Sequence, residues 1–208
     1  MNKIDRKKYT ERYNKRFNIY GFDLKTLGWG GDENRQKLRF KIALELENFL
    51  QRGKIKSVLD VGCGFGDMGK YILEKCENIS YTGVDINPLL IDEGKKKYPE
   101  LNLKCLDILD DYFEEKFDLV LENGIFNFKL QGENQLEYIE AMIKKMYSLS
   151  CFGVSVDFMS TFTDFQHEGA FHMNEQEALK IAKSLSRRVV LRNDYLDYEY
   201  SLYILKTS

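Results

Sequence analysis

Two periods of apolar residues alternate along the chain, and each change of period marks an element. Short apolar runs predict seven strands, at 56–61, 81–85, 101–108, 117–122, 152–158, 188–192 and 198–206. Between them, helical spacing predicts helices at 66–76, 87–98, 132–149 and 175–185. In the third of these, Leu136, Ile139, Ile143 and Met146 share one face, and Met142 and Met146 read as core filler. Two more helices come before the first strand. Residues 34–50 put Leu38, Ile42, Leu46, Phe49 and Leu50 on one side. Residues 5–20 carry Tyr9, Tyr13, Phe17 and Tyr20 at spacings of four, four and three, aromatic on one side and basic on the other. The connection 21–32 holds Gly21, Gly28, Gly30 and Gly31 around Trp29, which suits neither helix nor strand. Strand–helix alternation of this kind predicts an α/β fold, a mostly parallel sheet covered by helices on both faces.

Length and composition narrow the picture. The 208 residues suit one domain, 1–208, with an N-terminal helix and loop at 1–33 and a core at 34–208. No run of eighteen apolar residues exists, so no membrane span is expected. The charged start does not read as a signal peptide, and a cytoplasmic protein is the expectation. Cys63, Cys76, Cys105 and Cys151 are scattered without CxxC spacing, which favours free thiols over disulfides or a metal site. Net charge is −2, yet residues 1–16 carry seven basic and two acidic side chains, leaving an acidic body. An acidic body argues against broad nucleic-acid binding. A monomer or a homodimer is expected.

The chemistry gathers around Leu59 to Gly69, LDVGCGFGDMG. An apolar strand closes on Asp60 and breaks into Gly62, Gly64 and Gly66, and a helix follows. Strand, glycine turn and helix let a backbone approach a ligand and aim amide N–H groups at it. Asp85 ends the next strand, twenty-three residues beyond Gly62, where an acid can accept from both hydroxyls of a ribose. Asp60 has two readings: it holds a cationic group of the ligand, or it braces the turn. Asp67 is expected to cap the helix that follows the turn. Cys63 reads as a spacer within the loop.

Gly64, Gly66 and Gly69 fit the dinucleotide pattern GxGxxG, but Asp60-Val61-Gly62 precedes them. The string D-x-G-x-G-x-G resembles motif I of class I S-adenosylmethionine-dependent methyltransferases. GVDIN (83–87), LKCLDI (103–108) and FDLVLENGIFNF (117–128) resemble the later motifs of that family, in order and spacing. The resemblance implies a three-layer Rossmann-like fold of the small-molecule type, its seven-stranded sheet mostly parallel with the last strand antiparallel, and an N-terminal helical lid. It implies S-adenosyl-L-methionine as cofactor. Asp60, Gly62, Cys63, Gly64 and Gly66 would then meet its methionine end and Asp85 its ribose. Ile86, Asp107 and Ile108 would meet the adenine, while Glu122 and Asn123 would lie beside the transferred methyl. Trp29 either anchors its loop or borders this site, where an aromatic face suits a sulfonium.

The acceptor is expected at 158–174, a loop on the rim outside the carboxyl ends of the strands. It holds both histidines, His167 and His172, together with Asp164 and, beyond Phe158, three phenylalanines. Histidine titrates near neutrality, so these two are the candidate catalytic bases for a hydroxyl acceptor. The basic face of 5–20 would suit an anionic group on that acceptor. The expected function is therefore methyl transfer to a small polar, possibly anionic molecule, at a hydroxyl oxygen, by analogy within surface-polysaccharide synthesis. A small-amine N-methyltransferase is the first alternative; an NAD-binding oxidoreductase or a cofactor-binding protein without turnover are the others.

Overall fold

The computed structural model describes residues 1–51, 53–132 and 134–206. Arg52, Glu133 (inside the expected 132–149 helix), Thr207 and Ser208 lie outside the described residues.

Seven strands form one sheet: β1 (Ser57–Val61), β2 (Ser80–Asp85), β3 (Asn102–Cys105), β4 (Phe117–Glu122), β5 (Ser150–Met159), β6 (Val189–Arg192) and β7 (Glu199–Leu205). Their order is β3-β2-β1-β4-β5-β7-β6. β7 runs antiparallel to both its neighbours, and the remaining pairings are parallel. The strand order reverses beside β1, between β2 and β4, and in such sheets ligands bind at that switch point. Register places Asp60 opposite Gly83 and Leu121, and Val61 opposite Val84 and Glu122. Asp60, Asp85, Glu122 and Asp157 thereby meet on one rim. β7 enters the sheet from that same rim because it runs the other way, so its first residue, Glu199, joins them.

Seven α-helices are described: α1 (Lys3–Tyr20), α2 (Leu24–Leu27), α3 (Glu33–Leu44), α4 (Asp67–Lys75), α5 (Pro88–Lys97), α6 (Gln135–Leu149) and α7 (Glu175–Leu185). Alternate residues of each strand feed two cores. Leu59, Val61, Val120, Val154 and Ile204 pack with Ile139, Ile143 and Met146 of α6 and Ala178 of α7. Val58, Leu119, Leu121 and Tyr203 pack with Phe40 of α3, Met68 and Ile72 of α4 and Ile91 of α5. α5 crosses close over the glycine turn, since a Cβ on Gly94 would sit 2.4 Å from the Phe65 carbonyl oxygen.

The expected 34–50 helix is shorter than its apolar face suggested. It ends at Leu44 and tightens into a 3₁₀ turn, Glu45–Phe49. Within the expected irregular connection 21–32, α2 forms one turn, capped by the Asp23 side chain and closed by Gly28 in the left-handed region.

Candidate cofactor and acceptor site

β1 leads straight into the glycine turn. Gly62 has φ +78°, and a Cβ there would lie 2.0 Å from the Ile125 side chain, so only glycine fits beside the β4 loop. The turn's amides are bonded within the protein. Gly62 and Cys63 both donate to the Val84 carbonyl, at 2.8 and 3.0 Å, and Gly66 donates to the Cys63 carbonyl at 2.9 Å. Gly64 donates to Asp85 Oδ2 at 3.0 Å. The expectation that these amides point at a ligand is therefore corrected: they fix the loop to β2 instead. α4 supplies the open donors, because it alone of the seven described α-helices has no side-chain N-cap bond. Asp67 does not cap it, contrary to expectation; its carboxylate accepts from the Tyr98 hydroxyl at 3.0 Å and borders the cavity described below.

Buried carboxyl groups dominate the rim. Asp60 accepts from the Tyr81 hydroxyl at 2.7 Å. Burial pushes its pKa up to about 7, and the Tyr81 bond opposes the rise. Asp85 uses both oxygens on backbone, Oδ2 on Gly64 and Oδ1 on Asn87 at 2.8 Å. Burial lifts it to about 6 against those bonds. Glu122 is fully buried and accepts from the amides of Ile125 at 3.0 Å and Asp157 at 2.7 Å. Asp157 accepts in turn from Gly124 at 2.7 Å. Burial and the Asp157 charge hold Glu122 well above the usual carboxyl range, while burial brings Asp157 to about 6. Glu122 and Asp157 together thus brace the backbone at Gly124 and Ile125.

Two cavities open along this rim. The larger, about 410 Å³, is walled by the tips of β1, β2 and β4 and roofed by Tyr9, Arg12, Tyr13 and Arg16 of α1. The smaller, about 40 Å³, is an apolar slot between Ile86, Leu106, Ile108 and Tyr138, with Asp107 at its edge. Both are lined by Asp85, Gly62, Tyr9 and Ile125. A carboxylate at the junction of a flat apolar slot and a polar chamber suits a ribose, with a base on one side and a charged tail on the other.

The family profile described as "Methyltransferase domain" matches residues 59–151. Over these residues, just under half of the chain, the sequence matches the methyltransferase family, and the fold around them is that of the class I S-adenosylmethionine-dependent enzymes. A malonyl-[acyl-carrier protein] O-methyltransferase of Acetivibrio thermocellus is 36% identical over 73 residues, 34% of this chain and 26% of the relative. A second of that name, from Ilyobacter polytropus, is 29% identical over 134 residues, 62% of this chain and 47% of the relative. The chain therefore spans less than half the length of those relatives. In fold it resembles the magnesium protoporphyrin IX methyltransferase of Synechocystis solved with S-adenosylmethionine, at TM-score 0.66 and 18% identity, covering 98% of this chain and 97% of that one.

The donor of this family fits the residues present. Ile86, Asp107 and Ile108 border the slot; Asp85 stands at the junction; Asp60, Gly62, Cys63 and Gly64 line the chamber floor. Asp107 already accepts from the Leu109 amide at 3.0 Å through one oxygen. Burial raises the Cys63 thiol well above its ordinary range, so it offers shape and no nucleophile. Trp29 lines the chamber with the Arg39 guanidinium 4.6 Å over its ring.

Other expected site residues lie elsewhere. Gly66 starts α4 behind the turn, where its Cα faces Leu101 and Leu103, and it lines neither cavity. The Glu122 carboxyl faces the protein interior; its neighbour Asn123 lines the chamber instead. His167 and His172 line neither cavity. His167 is exposed and accepts from the Gly169 amide, while His172 Nδ1 bonds the Ser160 carbonyl at 2.7 Å. The 158–174 loop touches the chamber only through Met159 and Ala170, because Ala170 bridges to Phe128 and Met173 to Ser160, which folds the rest of the loop outward. Arg35, Arg39 and Glu199 were not expected together. Both arginines bond Glu199, with Arg35 at 3.0 Å and Arg39 Nε at 2.5 Å. Their i, i+4 spacing on α3 was visible; the partner 160 residues away was not.

Proposed function

We propose that this protein is an enzyme that transfers the methyl group of S-adenosyl-L-methionine to an oxygen of a small polar acceptor. The observation that carries the reading is Asp85, standing between an apolar slot and a larger polar chamber at the strand-order switch point. When bound, the cofactor supplies a methyl on an activated sulfonium. The protein's part is to align the acceptor and exclude water. Asp60 is suited to the cofactor's ammonium, because a cation offsets the cost of its burial. α1 forms the roof that keeps solvent from the chamber. Asn123 offers Nδ2, buried and without a hydrogen-bond partner among the described residues, as a donor to an acceptor oxygen. Oxygen as the methylated atom also agrees with the relatives named O-methyltransferases. A sugar-derived acceptor, as in surface-polysaccharide synthesis, would find an aromatic ring at Trp29. Among the described residues no helix is long and apolar enough to cross a membrane.

Calorimetry with S-adenosylhomocysteine tests the pocket. Asp85→Ala removes its bonds to the ribose hydroxyls, and since one such bond is worth about 1.5–3 kcal/mol, affinity should fall at least roughly ten- to hundredfold. Unchanged affinity would overturn the assignment. A general base contributes about 10²–10⁴-fold, so His167→Ala and His172→Ala should each leave turnover within a few-fold if neither serves as base. A loss of two orders of magnitude would return a histidine to the chemistry.

A further inference from the structure

The chamber's two ends differ in charge. Its floor is acidic, with Asp60, Asp67 and Asp85, whereas its roof and far wall carry Arg12, Arg16, Arg35 and Arg39. Glu199 compensates Arg35 and Arg39. Arg12 and Arg16 have no acidic partner within salt-bridge distance among the described residues. They sit one helical turn apart on α1, so their guanidinium groups share a face. Arg12 lies 5.3 Å over the Phe128 ring, beside the Ala170 bridge, in the segment that follows β4. Arg16 is steadied by donating Nε to the Lys25 carbonyl at 2.9 Å, which leaves its terminal nitrogens for another acceptor. Two further wall atoms are buried without a partner among the described residues, Arg35 Nε and Asn123 Nδ2, and both are donors.

Resting on the methyltransferase reading above, we infer that the acceptor is an oxyanion-bearing small molecule, its carboxylate or phosphate held by Arg12 and Arg16 and its methyl-receiving oxygen set at Asn123. Arginine forks match the planar or tetrahedral oxygens of such groups. The charged group is the handle rather than the nucleophile, because a guanidinium clamp would quench an attacking oxygen. The arginines approach from the roof while Asn123 lies on the β4 loop, so handle and reacting atom are held by different elements.

Trp29, the only tryptophan of the sequence, lines the same chamber and reports on it by fluorescence. Protein saturated with S-adenosylhomocysteine is titrated with inorganic phosphate and, separately, with succinate. The expected result is a saturable Trp29 response that weakens with added salt. In the Arg12→Gln/Arg16→Gln double variant the probe's Kd should rise about tenfold or more, with S-adenosylhomocysteine affinity within about twofold of wild type. The Arg12→Lys/Arg16→Lys variant keeps the charge and should recover part of the binding, which separates recognition from misfolding. A tenfold loss of S-adenosylhomocysteine affinity in the glutamine variant would overturn the inference, for the arginines would then serve the cofactor's own carboxylate. Equal probe affinity in wild type and variant, or no response to either anion, would also overturn it. Failure of the wild type to bind S-adenosylhomocysteine at all would instead strike the methyltransferase reading itself.

Discussion

Asp60 shows how far a single residue can be read. Its place at the end of an apolar run, ahead of three glycines, marked it as a site residue and left open whether it holds a ligand or braces the turn. Its partner was hidden. Tyr81 lies on the neighbouring strand, and the two meet only because β1 and β2 pair in a register that puts Gly83 opposite Asp60. That glycine matters: a Cβ there would sit 2.7 Å from the Tyr81 hydroxyl and 2.8 Å from Cys63 Sγ. Burial raises Asp60 to about 7 from an ordinary 3.8, and Asp85 to about 6. A raised carboxyl pKa favours the fold while the group is protonated. The contribution is complete below the unfolded value and is lost as pH climbs through the folded one. Unliganded protein should therefore lose stability between about pH 4 and pH 7 at these two sites. Asp60→Asn should flatten that slope in thermal unfolding followed across pH; a parallel curve would remove Asp60 from the account. A cation seated on Asp60 would favour its ionised form. Cofactor binding near pH 6.5 should then release protons, which calorimetry in buffers of different ionisation enthalpy detects.

At the scale of elements, most of the fold was legible because strands and helices keep different periods, and β4 and α7 fall on the expected residues. What escaped was short or depended on distant partners. α2 is a single turn, too brief to show a period. The outward path of 158–174 is set by the Phe128–Ala170 and Ser160–Met173 bridges, which composition does not reveal. α1 was visible as an aromatic and basic helix, but its anchor was not. Asp5 is fully buried and accepts from the amides of Gln131 and Gly132 at 2.8 and 2.9 Å. Asn2 adds a side-chain bond to it at 3.0 Å. Asp5→Ala leaves two amides unmet at about 1–3 kcal/mol each. Hydrogen exchange across 3–20 should quicken far more than in the strands, because α1 is pinned there to the loop before α6. Uniform protection would show that the aromatic contacts of Tyr9 with Tyr13 and Phe128 hold the helix unaided.

Taken whole, the molecule divides its rim between two sources. The glycine turn, Asp85 and the Ile86, Leu106 and Ile108 side of the slot come from β1 to β3 and their connections, within some fifty residues of one another, so sequence spacing exposed them; Tyr138 of α6, which closes the slot, was not exposed in that way. The arginine wall needs α3 to meet β7, and no local pattern announces a pairing that long. Arg39 and Glu199 are both buried. Glu199→Gln strips the charge that compensates two guanidinium groups, and breaking a buried pair costs roughly 3–5 kcal/mol. Urea unfolding should show a loss of that order, and a shift below about 1 kcal/mol would mean the pair behaves as an exposed one. The reversed direction of β7 has a temporal side too. Ribosomes deliver Glu199 some 160 residues after Arg39, by which time the glycine turn and its neighbours have long been available to fold. A nascent chain can thus assemble the glycine turn and its neighbours early, while the arginine wall waits for the final strand to slot between β5 and β6.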